Sequence, residues 1–233
     1  MTSSITSFSN PTFISLFIIL VPVLILIYRI VCPKILTYPW PSESAPKKKS
    51  TVSFAGSFNP PHNGHLAMIE YLAKRYENVI IVIGMNPNKV YKVSPQTRAD
   101  ILQKMISVQL GSEQMDKSRI RIKVCSEYIW RYAMSQNAKI MFRGIRTWKK
   151  DGKEERALHV LNTWGPIVFG PLKWPLKTVF MEGDTRYLNL SSTLIRETCA
   201  DQHSRENEKR SGGSCLEGMV PKEVEEEVIK AYS

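Results

Sequence analysis

Two of the chain's four histidines, His62 and His65, stand three residues apart in the stretch GSFNPPHNGH at 56–65. A β-branched, apolar run precedes this stretch, and Leu66, Ile69, Leu72 and Tyr76 follow it on one helical face, so the spacing predicts a strand-to-helix turn. Such a turn presents free backbone N–H groups and the positive end of a helix dipole, which suits a polyphosphate. Gly64 permits close backbone approach, and both imidazoles can donate a hydrogen bond to a phosphate oxygen. The plain alternative is a capped turn with incidental histidines. Six fixed positions (Gly56, Phe58, Pro61, His62, Gly64 and His65) at about 5% usage each make a chance match rarer than roughly one in a hundred thousand.

A turn of this kind works only if a scaffold holds its partners beside it. Strand-length runs occur at 51–55, 79–83, 120–124, 139–142 and 178–181, and helical stretches lie between them at 65–76, 97–110, 127–135 and 154–162. This alternation predicts an α/β fold, a Rossmann-like doubly wound parallel sheet, with ligands at the carboxyl ends of its strands. Residues 201–219 are polar and Gly/Ser-bearing and read as a flexible insertion; the pair Gly212 and Gly213 follows no strand and reads as linker. A last amphipathic helix is predicted over 221–231.

The composition, 43% hydrophobic and 23% charged over 233 residues, excludes wholesale disorder, collagen and a disulfide scaffold. Lys and Arg outnumber Asp and Glu by 32 to 21, which favours an anionic partner (nucleotide, nucleic acid or membrane surface) without saying which; the excess is mild and dispersed, and no nucleic acid is expected as a partner. Cys32, Cys125, Cys199 and Cys215 have no CxxC spacing, so neither a zinc site nor a disulfide framework is supported and a reducing compartment fits best. Residues 13–31 are apolar except for Ser15, Tyr28 and Arg29, roughly 28 Å as a helix, and predict a single membrane-spanning anchor after a short tail at 1–12. A cleaved signal peptide is the main rival. Basic residues lie on the C-terminal flank alone, which would place a domain at 50–233 in the cytoplasm, tethered by a Pro/Lys-rich linker at 32–49.

Two further stretches join the histidine turn. LSSTLIRE at 190–197 is similar to the ISSTxIR signature of the HxGH nucleotidyltransferase superfamily, whose histidine motif the stretch at 56–65 also resembles. FRGIR at 142–146 resembles the RGLR motif of the phosphopantetheine adenylyltransferase family within it. The resemblance covers about residues 50–200 and the final helix. It implies transfer of AMP from ATP to 4'-phosphopantetheine, giving dephospho-coenzyme A and pyrophosphate, with Mg²⁺ carried in by ATP and a homo-oligomer as a possible assembly. NPNK at 86–89 resembles the family's SPSK loop, which makes Lys89 a catalytic candidate beside His65 and Arg146. By the same match Ser57, Lys89 and Arg143 would meet the acceptor phosphate. Ser57, Phe58, His62, Gly64, His65, Arg146, Glu155, Ser191, Ser192 and Thr193 would meet the nucleotide.

The match has departures. The loop after Arg146 is one residue longer than the family pattern, which bears on Glu155, and the segment at 164–177 has no counterpart. Two alternatives stay open on sequence: another adenylyl- or cytidylyltransferase of the same fold, such as one acting on nicotinamide or nicotinate mononucleotide, and an inactive membrane-tethered nucleotide-binding scaffold.

Overall fold

The structure, a computed structural model, describes residues 11–41, 48–85, 90–109, 117–170, 172, 174–205 and 215–233. Six parallel strands, β1 (Lys34–Leu36), β2 (Lys48–Gly56), β3 (Tyr76–Gly84), β4 (Ile120–Cys125), β5 (Ile140–Ile145) and β6 (Lys177–Glu182), form one sheet in the order β1-β6-β5-β2-β3-β4. The chain runs outward from β2 through β3 to β4, then returns to the other side of β2 for β5 and β6. The order therefore reverses between β2 and β5, and the crevice beyond their carboxyl ends is where such folds take ligands.

The doubly wound sheet expected from the alternation is what forms. Along β3, Val79, Ile81 and Ile83 face one core and Ile80 and Val82 the other, because successive side chains of a strand point to opposite faces. The first core packs against α2 (Asn63–Arg75), α3 (Pro95–Gln109), α6 (Ser192–Arg205) and α7 (Glu225–Tyr232). The second is smaller and lies under α4 (Ile129–Ser135), with α5 (Trp148–Val168) over β6 beside it. Local signals set the helix starts: the Ser94 hydroxyl accepts from the Thr97 N–H at 3.0 Å with Pro95 next in line, and the Thr147 hydroxyl accepts from the Lys150 N–H at 3.3 Å.

Three expectations change. The transmembrane anchor, and the membrane location with a cytoplasm-facing domain inferred from it, are overturned: among the described residues no helix is long and apolar enough to cross a membrane. Helix α1 (Pro11–Val31) does form, and it lies against α5. Second, within the stretch expected as linker, Lys34, Ile35 and Leu36 pair in parallel with Val179, Phe180 and Met181 of β6. Third, α5 runs through the segment that had no family counterpart as far as Val168, Pro166 included. Of the expected insertion at 201–219, α6 takes residues to Arg205, and 206–214 lie outside the described residues, as do 1–10 of the expected tail.

Candidate active site

The turn after β2 begins at Gly56 and hands the chain to α2 at Asn63. Phe58 adopts a left-handed φ of 46° and buries its ring against Phe54 at 5.6 Å and beneath the His65 imidazole at 4.9 Å. His62 occupies the N-cap of α2 with extended backbone, and its ring lies 3.8 Å from that of His65. The His62 N–H donates to His65 Nδ1 at 3.3 Å. A neutral imidazole that accepts at Nδ1 carries its proton on Nε2, so His65 keeps one donor for a ligand.

Burial keeps both rings neutral. It holds His65 at a pKa of about 4 and His62 well below the ordinary histidine value, with the neighbouring His65 adding to the fall at His62. The Nδ1 atom of His62 is buried without a hydrogen-bond partner. At neutral pH the pair therefore offers hydrogen bonds without charge, at the positive end of a helix.

A second helix start faces the first. The Ser191 hydroxyl accepts from the Leu194 N–H at 3.1 Å and caps α6. Ser192 Oγ donates to the Pro60 carbonyl at 2.7 Å, and Arg196 donates to the Asn59 carbonyl, so the start of α6 is pinned to the β2–α2 turn. Between the two helix starts lies a cleft of about 240 Å³ lined by His62, Gly64, His65, Arg146 and Ser191 to Thr193, with Gly144, Asp151 and Tyr187 among its other walls. Close approach of backbones makes it narrow. A Cβ on Gly64 would stand 3.1 Å from the His62 ring and 3.3 Å from Tyr187 Cβ, and one on Gly144 would meet Met68 Sδ at 2.8 Å.

The arginines of FRGIR diverge, as side chains an odd number of residues apart do near a strand end. Arg146, just past β5, reaches the cleft and is held there by Asp151, whose carboxylate accepts from its backbone N–H at 2.6 Å and from its guanidinium at 2.5 and 3.1 Å. That pairing raises the Arg146 pKa further above its already high value. Arg143 instead makes a half-buried bidentate pair with Glu155, at 2.5 and 2.8 Å.

Of the residues singled out on sequence, the cleft thus gathers His62, Gly64, His65, Arg146, Ser191, Ser192 and Thr193. Phe58 supports it from below, while Arg143 and Glu155 occupy each other outside its lining. Ser57 offers its carbonyl to Arg98, and Lys89 lies outside the described residues. Sequence reasoning missed Asp151 and Arg98. Asp151 was findable as the acid in the first turn of α5, had that helix been started at Trp148. Arg98 gave no signal: it sits in a polar stretch of α3, yet its side chain is fully buried, bonded to the Ser57 carbonyl at 2.5 Å and to that of Ser94 at 3.3 Å. Its ring partner is Tyr91, at 4.5 Å.

The cytidylyltransferase-like family matches residues 53–198, which takes in the turn, both arginines and the start of α6. The chain belongs to that family. Among curated relatives, the phosphopantetheine adenylyltransferase of Desulfatibacillum aliphaticivorans is 29% identical over 180 residues, 77% of this chain and 87% of that protein. That of Chromobacterium violaceum is 30% identical over 61% of this chain and 78% of its own, and that of Leptospira biflexa 27% over 79% and 99%. Family membership accounts for the two facing helix starts, since a nucleotidyl transfer needs a place for a chain of phosphates.

Proposed function

We propose that the chain is an adenylyltransferase that moves AMP from ATP to 4'-phosphopantetheine, giving dephospho-coenzyme A and pyrophosphate. The observation that carries this reading is the similarity to phosphopantetheine adenylyltransferases over more than three quarters of the chain, beside a family match at 53–198 that takes in every residue lining the cleft.

The reaction forms a bond between an oxygen of the acceptor phosphate and the α-phosphorus of ATP and breaks the bond to the oxygen bridging the α- and β-phosphates. A phosphate monoester has its second pKa near 6, so the acceptor is mostly dianionic at neutral pH and needs no general base. What remains is to bring two polyanions into line and to stabilise charge on the non-bridging oxygens. In this reading His65 donates from Nε2 to the α-phosphate, and His62 and the N–H groups at the start of α2 assist it. Ser191, Ser192, Thr193 and Arg146 hold the β- and γ-phosphates, and Lys89 draws the acceptor phosphate toward the Ser57 turn. Arg143 and Glu155 enter as a pair: the acceptor phosphate takes over the Arg143 fork from Glu155, which frees the carboxylate toward the nucleotide.

Mg²⁺ belongs to this account as part of the substrate MgATP. The residues at hand fit that form, for the lining presents hydroxyls, imidazoles and N–H groups to phosphate oxygens, and Asp151 is already engaged by Arg146. The test is pyrophosphate release with MgATP and 4'-phosphopantetheine, run beside nicotinamide mononucleotide and a His65→Ala control. Release that depends on phosphopantetheine and is lost in the control is expected. Release with the mononucleotide alone would replace the acceptor.

A further inference from the structure

We infer that residues 34–41 are a brace that sets the spacing of the cleft on its nucleotide side, with Trp40 as its positioning residue. The inference rests on the reading above that the start of α6 holds ATP phosphates. The segment precedes the family match at 53–198 and touches both supports of the cleft.

On one side it holds the connection between β6 and α6. Strand β1 extends the sheet along β6, and just beyond it the Trp40 indole N–H donates to the Glu182 carbonyl at 2.9 Å. The Glu182 side chain in turn accepts from the Trp148 N–H at 2.9 Å, which fixes the start of α5 two residues past Arg146. Arg186, and to a lesser degree the Tyr38 hydroxyl, hold the buried Asp184 carboxyl below the ordinary carboxylate pKa. Asp184 caps the turn at Thr185–Tyr187 through the Arg186 N–H at 2.9 Å, and that turn carries Tyr187 and Leu188 into the cleft wall immediately before Ser191.

On the other side the same residues hold α2. The Trp40 ring lies 5.0 Å from that of Tyr71, the Arg75 guanidinium stacks on Tyr71 at 4.6 Å, and both Tyr71 and Arg75 donate to the Pro41 carbonyl. Helix α2 carries His62 and His65 at its other end. Trp40 is therefore bonded to the element that leads into one phosphate-facing helix start and packed on the helix that forms the other. Because a Cβ on Gly64 would stand only 3.3 Å from Tyr187 Cβ, the two walls lie close here, and a shift of the brace changes the distance between the groups that would grip the phosphate chain.

The experiment uses the full chain and two variants. Trp40→Phe keeps a ring against Tyr71 and removes the indole donor; Trp40→Ala removes both. MgATP affinity is read by calorimetry without acceptor, followed by KM for each substrate and kcat. The Ala variant is expected to bind MgATP about five- to tenfold more weakly, and the Phe variant by a smaller factor, as the loss of one hydrogen bond implies. KM for ATP should follow affinity while KM for phosphopantetheine stays within about twofold, a split that general destabilisation does not produce. Wild-type MgATP affinity in the Phe variant, or an equal rise in both KM values, would overturn the brace. An Ala variant that does not fold leaves the decision to Trp40→Phe. The acceptor reading fails separately: it is lost if the wild-type chain does not turn over phosphopantetheine, whatever the variants do to MgATP binding.

Discussion

The turn at 56–65 and the brace at 34–41 serve the same cleft by opposite routes. The turn is local: strand, cap, paired histidines and helix follow one another within residues 48–75, and its contacts to Phe54, Phe58 and α2 are made within that span. The brace is built of long reaches, from Trp40 to Glu182 and from Pro41 to Arg75, and it donates no group to the cleft itself. The difference separates two kinds of contribution, groups that act on phosphate and groups that decide where those groups stand.

The sharpest test of that division is His65→Ala. Removing a preorganised donor to developing charge is expected to lower kcat by about 10² to 10³ while MgATP affinity changes little; a loss confined to affinity would move His65 to the other class. Next in size is Arg146→Lys, which keeps the charge but gives up the planar fork; kcat/KM for ATP should fall about ten- to a hundredfold, as loss of one charge-assisted bond implies. Trp40→Ala follows, and beyond its effect on nucleotide binding it should lower the thermal midpoint by roughly 5 °C, a half-buried aromatic contributing about 2 kcal/mol. If it lowered kcat as deeply as His65→Ala, the two regions would not be separable.

The smallest effect is on stability against pH. The folded-state pKa of His65, about 4, lies below the ordinary value near 6.5. As pH falls, the unfolded chain takes up the proton first, so stability is full above pH 6.5 and is lost between 6.5 and 4. The thermal midpoint should drop by a few degrees from pH 7 to 5 in the wild type, and by less in His65→Ala. Turnover over the same range should instead track the acceptor phosphate near pH 6.

How far the sequence reveals each region follows from the same contrast. The apolar runs at 79–83 and 178–181 are legible because burial on both faces leaves an unbroken apolar signal, and β3 and β6 extend beyond them by a residue or more at each end. The histidine turn and the serines of α6 are legible because each lies within one short span of chain. Strand β1 is not legible: three residues among prolines carry no periodicity, and what makes them a strand is an edge of β6 more than 140 residues later. The partner of Arg146 is hidden for a related reason, since a helix begun at 154 leaves Asp151 outside it, and the pairing of Arg143 with Glu155 is made across the fold from β5 to α5.

Arg98 gives the turn one more property. Its guanidinium is wholly enclosed beneath Ser57, one of its nitrogens has no partner, and among the described residues no carboxylate pairs with it. Burial lowers its pKa below the ordinary arginine value, opposed by Tyr232 and Tyr91, yet a guanidinium remains protonated at any physiological pH. Dissolved ions cannot approach a charge in that position, and so its field beneath the phosphate-facing loop is one that added salt leaves standing.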